Sequence, residues 1–196
     1  TQTPIVELCG ETEATGIMHE WQTEVIDSVN LNNSALEGDD YANEASNNPA
    51  RIGSYSQIMR RVFQVSGTLE AVKKHGRASE ERRQMVLKGL ALRRDKEGIM
   101  SQNQGQRAEG GVNTRLTRSI ESWMATNVSR GAGGANGTAT TAPTDGTLRN
   151  LTETIFKASL AAHWAVGGEP DKCTVFAGGT QKQTISTFAG RTGAFV

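Results

Sequence analysis

The residues of this 196-residue chain that could do chemistry are few and scattered. His19, His75 and His163 stand far apart, and none has a second ligand at the helical or hairpin spacing that a metal would need. Cys9 and Cys173 are too distant for a disulfide framework or a zinc knuckle, so two free thiols in a reducing compartment are expected. Cys9 sits in the arm and Cys173 on an apolar strand, so neither is expected to have the surroundings that would make a thiol a nucleophile. The glycine run GAGGANG at 131–137 lacks the preceding strand, the close Lys-Ser/Thr and the following helix of a phosphate cradle, and reads as a flexible loop. Asp39 and Asp40 could form an acid/base pair or a hard-cation site, but they sit among turn formers and read as solvated acids. No catalytic residue, metal or cofactor is predicted.

Charge is the stronger signal. The net charge is zero, yet residues 1–50 carry ten acids and no Lys or Arg, leaving +10 on residues 51–196. One part of the chain therefore expects a partner of opposite sign. Either the acidic part lies on its own chain's basic surface, or it reaches a neighbouring copy. The concentrated cationic stretch runs over 70–97, with nine bases against five acids. It has no Phe, Tyr or Trp on which a nucleic-acid base would stack. A solvated helix face, an acceptor for another subunit's acids and a DNA contact are its three readings.

The elements that must position these charges follow from periodicity. Residues 1–19 read as an arm with no regular element. Residues 20–29 fit a strand loosely and 51–68 fit one well, with Tyr55, Met59, Phe63 and Val65 on one face. The turn-rich, acidic stretch 36–49 joins them as the tip of a long two-stranded loop. Such a ribbon is marginal alone and must lie against something. Ser79, followed by Glu80 and Glu81, predicts the start of a helix that runs to about 104. Along it Val86, Leu87 and Leu90 form a stripe beside Arg93 and Arg94, and Gly89 and Gly98 interrupt it. A short piece with Ile120 and Trp123, a low-complexity loop over 129–146, a helix over 147–166, a buried strand over 173–177 and a helix over 180–189 complete a mixed α+β chain. Hydrophobic residues make up 36% of the chain, so a modest core with extended arms or loops is expected. No run approaches the roughly 20 apolar residues of a spanning helix, which predicts a protein outside the membrane.

In order and spacing, a set of segments resembles the tailed-phage major capsid proteins of the Hong Kong 97 type. They are EWQTE (20–24), LEGDD (36–40), RIGSYSQI (51–58), VFQVSGT (62–68), GRASE (76–80), LRRDKE (92–97) and NQG (103–105). SWMATNVSRGAGGA (122–135), TDGTLRNLTE (144–153), GGEP (167–170) and the terminal STFAGRTG continue the series. The resemblance implies an N-terminal arm (1–19), an extended β-hairpin loop (20–68), a spine helix with part of a peripheral domain (69–128), a flexible loop (129–143) and the start of an axial domain (144–196). Family members continue past this point, so the chain is expected to be part of a longer protein.

What the resemblance implies is a structural protein, not an enzyme. Copies would form hexameric and pentameric capsomers of an icosahedral head in the virion, assembled in the bacterial host cytoplasm around double-stranded DNA held without sequence specificity. Portal, scaffolding or decoration proteins are the further partners. A related shell that encloses protein cargo, the encapsulin-like nanocompartment, is the nearest alternative, and a soluble nucleic-acid-binding protein a more distant one. The intersubunit contact is expected between loop acids Glu37, Asp39, Asp40 and Glu44 and spine-helix bases Arg82, Arg83, Arg93 and Arg94 of a neighbour.

Overall fold

In the computed structural model the described residues are 3–40, 43, 46–73, 75–76, 78–169 and 172–189. Six helices and one two-stranded antiparallel sheet lie among them: α1 (Pro4–Leu8), β1 (Met18–Thr23), β2 (Ala50–Tyr55), α2 (Gly67–Ala71), α3 (Glu80–Ser101), α4 (Ile120–Trp123), α5 (Glu153–Ala165) and α6 (Gly179–Ala189). The chain is a mixed helix-and-sheet protein built around one long rod. None of those helices is long and apolar enough to cross a membrane.

α3 starts where local chemistry dictates. Ser79 Oγ accepts the Arg82 N–H at 3.2 Å, while the Glu70 carboxylate accepts those of Glu80 (2.9 Å) and Glu81 (3.4 Å). Three N–H groups that no helical carbonyl can reach are thereby satisfied. Thr152 caps α5 in the same way, through Ile155 N–H at 3.3 Å. The turn after α5 holds Gly167 at φ +84, a left-handed conformation suited to glycine.

The ribbon is shorter than its sequence suggests. β1 pairs with β2 from Met18↔Tyr55 to Thr23↔Ala50, and the last backbone bond of the ladder is Ser56 N–H to Ile17 O at 2.9 Å. The predicted strand over 51–68 thus ends at Tyr55. No second stretch of the described chain pairs with residues 57–66 as a strand, and strand-forming side chains cannot make a ladder without one. The first strand is displaced to Met18–Thr23 from the expected 20–29. The described residues between β1 and β2 form irregular loop, tied across by Asn47 Nδ2, which donates to Asp27 Oδ1 at 2.5 Å and to the Val25 carbonyl at 3.4 Å.

Three further expectations change. The arm contains α1, docked on α3. Residues 173–177 form no strand, again for want of a partner among the described residues. The low-complexity segment, read as a flexible loop, is folded back on itself: Ala135 and Thr144 exchange backbone bonds at 3.1 and 3.0 Å, and Gly131 N–H donates to Asp145 O at 3.1 Å. Its glycines are there for close approach, since a Cβ on Gly131 would lie 2.0 Å from the Thr147 carbonyl oxygen.

The ribbon base rests on a polar junction. His19, Trp21, Ile52 and Ser54 share one face of the ladder, and Trp21 meets Trp123 of α4 at 5.1 Å between ring centroids. Arg118 lies over the Trp123 ring at 3.9 Å from its centroid, a cation–π contact, and burial pulls its guanidinium below the ordinary value. Ser54 Oγ accepts the Arg118 N–H at 2.8 Å. Behind these, Ser119 and Ser122 are fully buried, and Ser122 Oγ donates to the Gln104 carbonyl at 2.7 Å. Hydrogen bonding replaces apolar packing as the glue of this junction.

No hydrophobic side chain is buried among the described residues. The accessible surface is 15952 Å² for 21.0 kDa, against roughly 9,000 Å² expected of a globular chain of that mass. Much of the chain's apolar surface is therefore in contact with water.

Candidate functional site

The sequence directs attention to two charged features, and the structure sets them apart within one chain. Glu37, Asp39 and Asp40 sit in the exposed loop beyond the ribbon, where a turn is closed by Asp39 N–H to Leu36 O at 3.2 Å and passes through Gly38 at φ +84. None of the three has an ion pair among the described residues, and Glu44 lies outside them.

On α3 the bases have different surroundings. Arg82 makes no ion pair among the described residues. Arg83 pairs with Glu80 of its own helix at 3.0 Å. Arg93 lies 3.9 Å from Glu7 of the arm, and Arg94 lines a cleft with Arg60, Arg61 and Asp95. Internal pairing of the acidic part is therefore realised at Glu7 and at Glu20, which faces Arg51 at 3.9 Å, while Glu37, Asp39 and Asp40 make no ion pair among the described residues. Lys74 and Arg77 of the cationic stretch lie outside the described residues.

Helical geometry explains what α3 presents. At about 100° per residue, Arg82, Arg93, Val86, Leu90, Arg83 and Arg94 fall within an arc of roughly 120°, so bases bracket the apolar positions on one face. The C-terminal part of that face is occupied by the arm. Glu97 accepts the N–H groups of Ile5 (3.0 Å) and Val6 (2.9 Å), which places a carboxylate at the positive end of α1. The N-terminal turns remain open, with Val86 and Leu90 more than half exposed.

A second tie crosses the ribbon's exit. Arg61 Nε donates to Asp95 Oδ2 at 2.6 Å and a second guanidinium N–H reaches the other oxygen, a two-pronged grip of the 57–66 segment on α3. That hydrogen bonding holds the Asp95 carboxyl below its ordinary range and raises Arg61.

Sequence reasoning missed Glu70, Glu97 and the Arg61–Asp95 pair, because their partners lie ten to more than ninety residues away and no local motif marks them. It also treated the loop as acidic only. Val25, Ile26, Val29, Leu31 and Leu36 are 77–94% exposed there, a pattern visible in the sequence as large apolar residues among turn formers. Among the described residues no group of three or more His, Cys, Asp or Glu stands close enough to hold a metal ion. In the cleft of about 390 Å³ beside Arg130, the charges are already engaged: Arg130 with Glu121 at 3.4 Å, and Arg149 with the Ser129 carbonyl at 2.8 Å.

Comparison with known proteins agrees in kind. A family model described as SU10 major capsid protein matches residues 1–195. The major capsid protein of Escherichia phage Phieco32 is 33% identical over 105 residues, which is 53% of this chain and 30% of that relative. The match thus spans less than a third of the relative's length.

Proposed function

Because the chain belongs to the SU10 major capsid protein family, we propose that it is the shell-forming subunit of a tailed-phage head, with the Hong Kong 97-type arrangement of arm, extended loop, spine helix (α3), peripheral and axial parts. Its work is assembly. Each copy lays its acidic loop across a neighbour's α3, and many such contacts close hexameric and pentameric capsomers into a shell around double-stranded DNA. Exposed ion pairs contribute under about 1 kcal/mol each, but every subunit both makes and receives the contact, so small terms multiply and the charges set register. These 196 residues carry no net charge, so this part of the subunit neither repels its counterparts nor grips packaged DNA tightly.

The observation that carries this reading is the separation inside one chain: among the described residues Glu37, Asp39 and Asp40 make no ion pair with a base, and Arg82 makes none with an acid. Arg82 is the better target than Arg93 or Arg94, since Arg93 already faces Glu7 and Arg94 lies beside the Arg61–Asp95 tie. Arg82→Glu in the full-length protein is expected to leave circular dichroism unchanged and to abolish particles in negative-stain images. Adding Glu37→Lys, Asp39→Lys and Asp40→Lys to Arg82→Glu should restore them. Normal particles from Arg82→Glu alone would refute the charge contact.

A further inference from the structure

The sequence holds a single Asn-Gly pair, Asn136-Gly137, and it lies in the folded-back 129–147 loop. Asn before Gly is the dipeptide most prone to lose its side-chain amide, because a residue without Cβ lets its nitrogen approach the preceding side chain and adopts the backbone angles that ring closure needs. The Gly137 nitrogen bonds to Asn136 Cγ and gives up its proton, the Cγ–Nδ2 bond breaks, and ammonia leaves. Water then opens the five-membered imide at either carbonyl, giving aspartate or isoaspartate. Two conditions for attack are met: Asn136 is exposed, and Gly137 N–H donates to no backbone carbonyl among the described residues. The Asn136 amide, however, is engaged at both ends. Its Oδ1 accepts Arg130 Nε–H at 3.0 Å, and its Nδ2 donates to the Ala125 carbonyl at 2.7 Å.

We propose that Asn136 is a latent deamidation site and that the fold guards it through Arg130. Attack turns the flat amide carbon tetrahedral and draws it toward its own backbone, so the bonds at both ends of the amide must give first. The Arg130 bond resists most. That side chain is only 10% exposed, and its guanidinium also meets Glu121 at 3.4 Å and Asp145 at 3.9 Å, so it cannot follow Asn136 as the amide turns. The backbone is pinned as well. Gly137 is buried, and the space its Cβ would take lies 2.9 Å from Pro143 Cδ and 3.0 Å from the Thr141 carbonyl oxygen. On either side, Ala135 is tied to Thr144, and Thr138 N–H donates to Thr141 O at 3.0 Å. Asn136 accordingly reacts from the locally opened loop. The change runs one way: a carboxylate at 136 puts an oxygen where Nδ2 now donates to the Ala125 carbonyl, and isoaspartate adds a backbone carbon beside the Ala135–Thr144 bridge. This inference does not depend on the shell-subunit reading.

Peptide mapping by mass spectrometry measures aspartate and isoaspartate at position 136 in the full-length protein, incubated in mildly alkaline buffer with and without guanidinium chloride. The native protein should react about tenfold or more slowly than the denatured one. Equal rates overturn the proposal. Arg130→Ala should speed the native reaction about fivefold, and hydrogen exchange at the Ala135 and Thr144 amides reports whether the loop has stayed closed. Arg130→Lys, which keeps a cation beside Glu121 and Asp145 but lacks the guanidinium Nε–H, is the second variant. Faster deamidation in either variant with the bridge still protected supports the guard. No acceleration in any variant that keeps the bridge overturns it, and a slower reaction there would mean that the guanidinium activates the Asn136 carbonyl instead. If both variants lose the bridge, Arg130 acts on the loop as a whole and its assignment to the Asn136 amide falls.

Discussion

Replacing Glu97 by alanine should release the N-terminal arm without disturbing the rod it rests on. α1 has five residues, and its N-cap Thr3 makes no side-chain capping bond. A helix so short cannot meet its nucleation cost alone, so it exists because α3 holds it. The hold is a carboxylate that accepts two N–H bonds at 3.0 and 2.9 Å. Hydrogen bonds to a charged acceptor contribute about 1.5–3 kcal/mol each, and loss of an N-terminal cap costs about 0.5–2 kcal/mol. The site is only part-buried, so water replaces some of what is lost and about 2 kcal/mol is the expected net effect. That corresponds to about a 30-fold shift toward the undocked arm. Amide hydrogen exchange of the full-length subunit checks it. Exchange across α1 should accelerate about 10- to 30-fold while α3 keeps its protection, with Glu97→Gln falling between because one carbonyl acceptor remains. Unchanged exchange across α1 in Glu97→Ala would show that Ile5 and Val6 hold the arm by contact alone, and the capping argument would be wrong.

Two further outcomes follow from the same geometry. Gly89→Ala and Gly131→Ala should move the melting temperature in opposite directions: nothing lies within 4 Å of a Cβ at Gly89, so alanine should stabilise α3 by about 1 kcal/mol, whereas at Gly131 the new carbon would meet the Thr147 carbonyl oxygen at 2.0 Å and cost about 1–3 kcal/mol. Equal shifts would contradict the close approach seen in the 129–147 loop. The Arg61–Asp95 tie should loosen in acid. Asp95 is held below its unfolded value of about 3.9, so its contribution is present above that pH and is lost as pH falls through the folded value. Protease cleavage within residues 57–66 should then rise below about pH 4 in the native protein and be pH-insensitive, already high, in Asp95→Asn. An identical acid step in both proteins would locate the titrating group elsewhere.

The helices were legible because their signals are local. Ser79 with Glu80 and Glu81 announces α3, and the apolar spacing before Gly167 announces α5; in each case the physics acts over one or two turns. The charge division between residues 1–50 and 51–196 is likewise a property of sequence alone. From it the acidic loop and the basic rod could be named before any coordinates.

Strand extent was not legible. Residues 57–66 have the side chains of a strand, but a ladder needs a neighbour, and only the fold says that pairing stops at Met18↔Tyr55. The same reason removes the expected strand at 173–177. Glycine gave the opposite error. In the 129–147 loop its composition suggests freedom, yet the fold uses the missing Cβ to bring two backbones together. Which charges remain for a partner was also a tertiary decision. Arg93 and Arg94 read the same as Arg82 in the sequence, and only packing brings Glu7, Ile5 and Val6 of the arm onto the Arg93–Glu97 end of α3 and leaves the other end, with Arg82, Val86 and Leu90, open to water. Local interactions fix where a helix begins and which sign a segment carries; what covers each face depends on contacts between residues far apart in the chain, which no short-range pattern encodes.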